Sequence, residues 1–469
     1  MTCKIELDIK SLGSIKNSKV EFKPFLLFYG EPSTGKSYLA LAFYKLMQIL
    51  TDRIYIKNIL EIIKEPSISK NLSREELEEE FRNCGFDVKY INEKTHLDSF
   101  EKDSSKINFK IREFKVKDLI SNIENSYKEN INRFFQELIK YPFNDIDLNL
   151  NITGDYENLI LKIYESDKKI IFFSSLFNKV DENYIRTNLL THLPGFIDIE
   201  IIISDIIKKI IFNDSINLYF SYYYLPPAKN ALINMRDFAL RASLEDLPLL
   251  GVHKEFYKKI LARLYDNESQ NFSKIKKDYF DKLINGSFVT RPDGSIVFKF
   301  VKNGENVEIP YSSASTSIQE LAPLYYVLQS SNLNNISITY EEPEAHLHPK
   351  LQRQLGLLLS YLVNQGGFLQ ITTHSDYLTN RLNNLIKLHN IKLKDENLFK
   401  KALEELNIPE ESVLNPEKVG AYYFEKKGNG NTFVRNLKIE DYGIPMESFE
   451  NDLIDMTKET NYLMDLLEE

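Results

Sequence analysis

Gly30-Glu-Pro-Ser-Thr-Gly-Lys-Ser37 is the segment that indicates the fold of this chain most directly. It matches the pattern GxxxxGK[ST], in which glycines let the backbone wrap around phosphate oxygens before a lysine and a hydroxyl residue. The continuous apolar run Phe25 to Tyr29 precedes it and predicts a buried strand, while Tyr38 to Leu50 carries apolar residues at helical spacing. Strand, loop and helix in this order predict a P-loop within an α/β fold.

The residues of this loop have chemistry suited to a bound nucleoside triphosphate. Backbone N–H groups at the start of a helix attract phosphate. We therefore expect Lys36 to reach the β and γ phosphates of ATP and the Ser37 hydroxyl to bind Mg²⁺. An ordinary turn before a helix is the alternative interpretation. The residues predicted to contact nucleotide from this segment are Gly30, Ser33, Thr34, Gly35, Lys36, Ser37 and Tyr38.

Two adjacent carboxylates follow a second apolar run, Ile336 to Tyr340, which predicts another buried strand. Phosphoanhydride hydrolysis needs a carboxylate that binds the metal and a group that positions the attacking water. We therefore expect Glu341 to hold Mg²⁺, through water, and Glu342 to orient or deprotonate the nucleophile. A solvated acidic turn is the alternative interpretation.

Histidines occur at three further positions of interest. His374 follows the predicted strand Phe368 to Thr373, and beside a nucleotide site it is predicted to donate to the γ-phosphate and sense its loss. A purely structural histidine is the alternative. His346 and His348 have a spacing that metal ligands can have, but the neighbouring sequence offers no further ligands, so we interpret this pair as structural.

Together these segments resemble the ATPase modules of the ABC superfamily, in particular those of OLD-family and related PARIS-like and Septu-like antiphage-defence proteins. Tyr340-Glu-Glu-Pro-Glu-Ala-His-Leu-His-Pro349 resembles their Walker B and D-loop segment, and Ile371-Thr-Thr-His-Ser375 resembles their H-loop. Leu225-Pro-Pro-Ala228 adds to the likeness, which covers the ends of the chain better than its middle. The resemblance implies an ABC-type P-loop NTPase head, a mixed sheet with flanking helices, which forms a homodimer with ATP between the protomers.

The same resemblance implies a signature helix that contacts the nucleotide of the other protomer. Ser312 to Leu321 is the candidate segment, in which Ser315 and Gln319 align with the family pattern Ser-Gly-Gly-x-Gln although both glycines are replaced. Ser317 and Glu320 also have the spacing of a capping box, which predicts a helix start that faces a γ-phosphate. Ser315, Ser317 and Gln319 are thus the predicted contacts in trans. An ordinary capped helix is the alternative.

The motifs divide the chain into three predicted parts. Residues 1–50 and 211–445 are expected to form a discontinuous ATPase head, and residues 446–469 a C-terminal helix. Residues 51–210 are charged and carry no nucleotide-binding motif, so they predict a mainly helical insertion. Apolar heptads do not persist there, which disfavours long coiled-coil arms. No Asp-x-Asp pair follows His374, so we expect no nuclease domain in this chain.

Net charge, apolar content and cysteine content disfavour several classes of protein. A formal net charge of -9 argues against coating of nucleic acid by overall attraction, although a local basic groove for DNA stays possible. The most apolar window, Phe196 to Phe212, contains five charged residues and predicts no membrane span. The first residues lack the apolar core of a signal peptide, and two distant cysteines suggest no disulfide framework. A cytoplasmic protein without a membrane partner is predicted.

Three functional hypotheses follow. The leading one is an ATP-hydrolysing homodimer, or a larger homo-oligomer, that acts as sensor or scaffold of a defence system and controls a separate effector such as a nuclease. The second is an SMC-like ATPase for DNA repair or chromosome maintenance that clamps DNA. The third is the nucleotide-binding subunit of an ABC transporter.

Overall fold

The computed structural model of this 469-residue chain describes most of the regions that carry the motifs. The described residues are 3–62, 67–72, 75–76, 79, 107–139, 146–154, 156, 160–166, 171–174, 220–227, 229–234, 251–264, 274–291, 293–330, 333–428 and 430–468. They belong to two compact units. The first unit comprises Met1–Glu6, Gln48–Asn130 and Asn149–Leu218, and the second unit comprises Leu7–Met47, Ile131–Leu148 and Tyr219–Glu469.

Strands and helices both occur along the whole of the described chain. The strands, in chain order, are β1 (Lys4–Leu12), β2 (Ile15–Glu21), β3 (Phe25–Gly30), β4 (Ser67–Leu72), β5 (Ile107–Lys115), β6 (Ile146–Thr153), β7 (Ile160–Ser166), β8 (Ile171–Ser174), β9 (Ser221–Leu225), β10 (Ser287–Thr290), β11 (Ile296–Lys302), β12 (Glu305–Pro310), β13 (Ile336–Glu341), β14 (Phe368–Thr373), β15 (Val419–Lys426) and β16 (Thr432–Leu437). The helices are α1 (Lys36–Thr51), α2 (Arg53–Ile62), α3 (Val116–Ile139), α4 (Lys229–Asn234), α5 (Gly251–Leu264), α6 (Lys274–Ile284), α7 (Thr316–Ser330), α8 (Pro349–Asn364), α9 (Asp376–Lys394), α10 (Glu396–Leu406) and α11 (Glu447–Glu468).

A nine-stranded mixed sheet organises the motifs. Its strand order is β6-β1-β2-β16-β15-β3-β14-β13-β9. The five strands from β15 to β9 run parallel to one another, while β16 runs antiparallel to β15. Every residue of β13 and of β14 is buried, as expected for parallel strands that helices cover on both faces. The predicted α/β class, a mixed sheet with flanking helices, is confirmed.

The register of three adjacent strands brings the predicted site together. Thr373 of β14 lies opposite Tyr29 of β3, and Glu341 of β13 lies opposite Thr372 of β14. Because the three strands are parallel, their carboxyl ends lie at one edge of the sheet, which is where open α/β sheets bind ligands. The phosphate loop, the two carboxylates and His374 therefore leave the sheet at the same edge.

A small antiparallel sheet, β10-β11-β12, follows α6. Its first two strands form a hairpin, in which Thr290 pairs with Ile296. The Asp293 carboxylate accepts hydrogen bonds from the backbone and the hydroxyl of Ser295, which close the turn. The third strand, β12, was not predicted from the sequence.

The first unit contains a four-stranded antiparallel sheet, β4-β5-β7-β8. Residues 51–210 were predicted to be mainly helical, so this sheet corrects that prediction for the described residues. Residues 107–112 alternate apolar and polar side chains as a half-buried strand does, but the frequent charges of residues 107–115 resemble those of a solvated helix. The window Phe196 to Phe212 and Cys84 lie outside the described residues.

A helix that crosses a bilayer must be both long and apolar. None of the helices in the described part of the chain meets both requirements.

A substitution at Gly30 tests how closely β3 packs against β15. Its φ is +133°, and a Cβ atom there would lie 2.5 Å from the carbonyl oxygen of Phe424 on β15. We expect Gly30→Ala to lower the free energy of unfolding by about 1–3 kcal/mol, because the strands must separate or the backbone must strain. Urea denaturation measures this change.

Gly428→Ala is the matched control, because no atom lies within 4 Å of a Cβ at that position. We expect it to change the free energy of unfolding by less than about 0.5 kcal/mol. Equal decreases in the free energy of unfolding of the two variants would contradict the close approach of β3 and β15.

Candidate functional site

The phosphate loop lies between β3 and α1, as predicted. Gly30, Ser33 and Gly35 have φ values of +133°, +58° and +91°, so the backbone turns through conformations that glycine adopts most readily. The Thr34 hydroxyl donates to the carbonyl of Glu31 at 2.7 Å and closes the loop. These conformations curl the chain into the kind of backbone concavity that binds anions.

The start of α1 presents backbone donors to this concavity. The first helical hydrogen bond runs from the Leu39 N–H to the Gly35 carbonyl at 3.1 Å. The N–H groups of Lys36, Ser37 and Tyr38 therefore precede the helical ladder, where they attract anions. Tyr38 also packs its ring edge-on against Phe135, with the ring centroids 6.3 Å apart.

Lys36 is buried and folds back across its own loop. Its Nζ donates to the carbonyls of Gly30 at 3.0 Å and Glu31 at 2.5 Å. Burial lowers the pKa of Lys36 to about 8, while the charges of Glu342, Glu31 and Glu344 oppose this shift. The ammonium group is thus held by weak carbonyl acceptors that the oxygens of a phosphate can replace.

Ser37 and Glu341 meet across the sheet edge. The Ser37 hydroxyl donates to Oε2 of Glu341, and the Tyr224 hydroxyl donates to Oε1 of the same carboxylate at 2.6 Å. Glu341 is 2% exposed, and burial raises its pKa although both hydrogen bonds favour the charged form. A serine hydroxyl beside a carboxylate is a donor set of hard oxygens, which fits Mg²⁺.

Glu342 is half-buried, and its backbone adopts a left-handed conformation. Its φ is +42°, and its N–H donates to the carbonyl of Thr372 at 3.0 Å. Such conformations cost free energy in residues other than glycine and often occur at functional sites. The charge of Glu342 raises the pKa of both Lys36 and His374, so the three side chains belong to one electrostatic site.

His374 follows β14 and is exposed. The backbone N–H of His374 donates to Oε1 of Glu344 at 2.7 Å, which fixes the start of the segment after the strand. Burial of part of the ring and the charge of Lys36 lower the pKa of His374, against the opposing charge of Glu342. The imidazole is therefore mostly neutral at pH 7 and retains one N–H for donation.

Glu344 was not predicted from the sequence. Burial raises its pKa, and its Oε2 atom has no hydrogen-bond partner among the described residues. It lies within the turn that the resemblance assigned to the D-loop, where its side-chain carboxylate accepts the backbone N–H of His374 and so joins two motifs. A carboxylate that supports another motif carries no sequence signal of its own.

The signature segment begins α7, but it differs from the predicted capping box. The helix begins at Thr316, and the exposed Ser315 accepts the first helical hydrogen bond, from Gln319 N–H at 3.0 Å. The Ser317 hydroxyl instead donates to the carbonyl of His346 at 2.8 Å. Glu320 is buried, so the prediction that Ser317 and Glu320 cap this helix is wrong.

Gln319 is also buried and supports the segment before α7. Its Nε2 donates to the carbonyl of Ala314 at 2.8 Å, and its Oε1 accepts from Asn234 at 3.2 Å. Among the described residues, the hydrogen bonds of Ser315, Ser317 and Gln319 reach α4, the loop before α7 and the His346 carbonyl, and do not reach the phosphate loop. The site of one chain therefore gathers the phosphate loop, Glu341, Glu342 and His374 without the signature residues.

His348 has a structural contact at the start of α8. Its Nδ1 accepts the N–H of Lys350 at 3.2 Å, and Pro349 occupies the first turn of the helix. Proline is favoured at this position because its missing N–H would have no helical partner. The side chain of His348 thus acts as the helix N-cap.

A family profile described as AAA ATPase domain matches residues 4–379. The chain belongs to the AAA ATPase domain family. The match spans the phosphate loop, both carboxylates and His374. A comparison with curated proteins finds no match.

Comparison with solved structures finds SMC heads at low similarity. An Smc head bound to the C-terminal winged-helix domain of ScpA is 12% identical, covering 93% of this chain and 97% of that one, with a TM-score of 0.33. An Smc head with an extended coiled coil, bound to the C-terminal domain of ScpA derived from Pyrococcus furiosus, is 11% identical, covering 97% and 100%, with a TM-score of 0.33. The SMC head domain from Thermotoga maritima is 11% identical, covering 94% and 100%, with a TM-score of 0.31. Scores this low do not by themselves establish a shared arrangement.

The lowered pKa of Lys36 predicts that this AAA ATPase domain binds nucleotide in a pH-dependent way. Phosphate binding needs the protonated ammonium, and a pKa of about 8 leaves it mostly deprotonated at pH 9. We expect the apparent Kd for MgATP to rise about tenfold between pH 7 and pH 9. Equilibrium binding of a fluorescent ATP analogue measures this rise.

Lys427→Met is the matched control, because Lys427 is exposed and lies in the turn between β15 and β16. It should keep the wild-type pH profile, whereas Lys36→Met should bind weakly at every pH. An affinity that stays constant up to pH 9 would show that Lys36 keeps the pKa of an ordinary lysine.

Proposed function

We propose that this ATPase dimerises around ATP and acts as the sensor or scaffold subunit of a prokaryotic antiphage-defence system. In this role it controls a separate effector, such as a nuclease, from the cytoplasm. The proposed ATP hydrolysis is supported by the hydrogen bond between the Ser37 hydroxyl and the Glu341 carboxylate. Glu342 is next in sequence, and its charge acts on Lys36. The defence role rests on the resemblance of residues 340–349 and 371–375 to those systems.

The residues of one chain divide the hydrolytic work. The backbone of the phosphate loop and Lys36 bind the β and γ phosphates, and Ser37 and Glu341 would hold Mg²⁺. The bound metal would neutralise charge on the phosphate oxygens. Glu342 orients a water molecule and accepts its proton while the water oxygen bonds to the γ-phosphorus and the bond to the β-phosphate oxygen breaks.

His374 completes the site as a neutral donor. Its lowered pKa keeps the ring uncharged near neutral pH, and its N–H donates to a γ-phosphate oxygen. Loss of the γ-phosphate removes that acceptor. The backbone N–H of His374 donates to the Glu344 side chain, so a movement of His374 after γ-phosphate loss also moves the turn that contains Glu344 and His346. The Ser317 hydroxyl donates to the His346 carbonyl in that turn.

Dimerisation would complete the site from a second copy. Ser315 and Thr316 are exposed at the start of α7, and the first N–H groups of that helix carry the positive end of its dipole. This arrangement suits contact with the γ-phosphate bound by another protomer. Ser315 supplies the hydroxyl in that contact, while Ser317 and Gln319 maintain the shape of the segment.

Glu342→Gln tests this function directly. The amide keeps the size of the side chain but cannot accept the proton, so we expect kcat to fall by about 10²-fold or more while ATP still binds. The trapped ATP state should accumulate as a larger assembly. Phosphate release and light-scattering mass, each with and without MgATP, measure the two effects.

Glu404→Gln removes an exposed carboxylate on α10 and serves as the control. It should leave both turnover and mass unchanged. Wild-type protein that neither hydrolyses ATP nor changes mass would refute the proposed function. ATP-dependent retention of the chain on circular DNA would instead favour a DNA-clamping ATPase.

A further inference from the structure

Lys229 is a buried lysine that the hydrolytic scheme does not use. It begins the short helix α4, just after the Pro226-Pro227 turn that follows β9, and it is 1% exposed. β9 pairs with β13 in parallel, with Leu225 opposite Tyr340, so Lys229 reaches the edge of the sheet that carries the carboxylates. A buried ammonium group is costly unless neighbouring groups stabilise its charge.

The partners of Lys229 lie on two different elements. Its Nζ donates to the carbonyls of Glu341 at 3.1 Å and of Glu342 at 3.5 Å. The same atom lies 3.6 Å from the carboxylate of Glu320 on α7 and 5.0 Å from the ring centroid of Tyr340. One charge therefore joins the end of β13 to the first turns of the signature helix.

Glu320 depends on this contact. It is 1% exposed, and neither carboxylate oxygen has a hydrogen-bond partner among the described residues. The ion pair with Lys229 is thus its main compensation for burial, and removal of one partner leaves an isolated buried charge. A second contact joins the same two helices, because Asn234 of α4 donates to Gln319 of α7 at 3.2 Å.

The backbone of Glu342 is held from both sides. Its N–H donates to Thr372 on β14, and its carbonyl accepts from Lys229. Its left-handed φ of +42° persists only where the surroundings enforce it. The direction of the Glu342 side chain, which is proposed to orient the attacking water, is therefore set by a backbone conformation that Lys229 helps to fix.

We propose that Lys229 is a positioning residue that orients Glu342 and couples the carboxylate turn to the start of α7. A nucleotide-dependent movement of that turn then shifts the segment that faces the second protomer. The proposal deepens the proposed function and rests on it for the roles of Glu342 and α7. Lys229 itself contacts neither ATP nor the attacking water.

The test must separate positioning from simple stabilisation. Lys229→Met alone leaves the buried Glu320 carboxyl group without its ion-pair partner, so it should lower the melting temperature as well as kcat. The double variant Lys229→Met, Glu320→Leu replaces the buried ion pair by apolar groups, which is often close to neutral for stability. We expect its melting temperature to return towards wild type while kcat stays about 10–100-fold low, because a small misplacement of a catalytic group costs that much.

Two further readouts sharpen the result. The Kd for MgATP should stay within about twofold of wild type in the double variant, since Lys229 lies outside the phosphate loop. Amide hydrogen exchange of residues 314–326, measured at a protein concentration where the chain stays monomeric with MgATP, should change on MgATP binding in wild type and stay unchanged in the double variant. Lys45→Met removes another buried lysine, which lies over the Phe134 ring, and should lower stability without the loss of kcat.

The outcomes distinguish the two proposals. Turnover that recovers with stability in the double variant, or exchange in α7 that still responds to MgATP, would overturn the positioning role. Absence of turnover in wild type would instead refute the proposed function. The exchange response would still decide the coupling in that case, because it needs only nucleotide binding.

Discussion

The hydrogen bond between Ser37 and Glu341 joins residues 304 positions apart in the chain, and the rest of the site depends on it. It can form only if β3 and β13 are parallel, are separated by a single strand and end at the same edge of the sheet. The intervening strand, β14, then delivers His374 to the same place. The topology of the sheet is therefore what turns three separate sequence motifs into one site.

The electrostatics of the site follow from its burial. Acidic and basic groups are withdrawn from water together, which raises the pKa of Glu341 and Glu344 and lowers that of Lys36 and Lys229. In each case burial opposes the charged form, while hydrogen bonds and nearby opposite charges favour it. A polyanionic substrate brings negative charge close to the Lys36 ammonium, so substrate binding and the protonation of this lysine favour each other.

The sequence predicted the parts of the structure whose causes are local. The apolar run before Gly30, the glycine-rich loop and the helical spacing after it occur within one short segment, and the structure has the same strand, loop and helix. The carboxylates after β13 and the histidine after β14 were found for the same reason. Tyr224, Lys229 and Glu344 were missed because their partners are distant in sequence.

Each failed prediction has a physical cause. Ser317 and Glu320 have the spacing of a capping box, but Lys229 holds the Glu320 carboxylate in the interior and the Ser317 hydroxyl donates to the turn before α8. Tertiary contacts outweighed a local preference of about 1 kcal/mol. The sheet of the first unit was missed because charged residues mask the alternation of its strands, and alternation is a weaker signal than a continuous apolar run.

The buried pair of Lys229 and Glu320 raises the question of why an ion pair is used where apolar side chains would pack as well. Apolar contacts tolerate small sliding movements, because dispersion attraction depends weakly on direction. An ammonium that serves two carbonyls and a carboxylate loses several interactions at once if any partner moves. It therefore favours a small number of discrete arrangements over a continuous range, and discrete arrangements are what allow a change at the γ-phosphate to be transmitted to a distant helix.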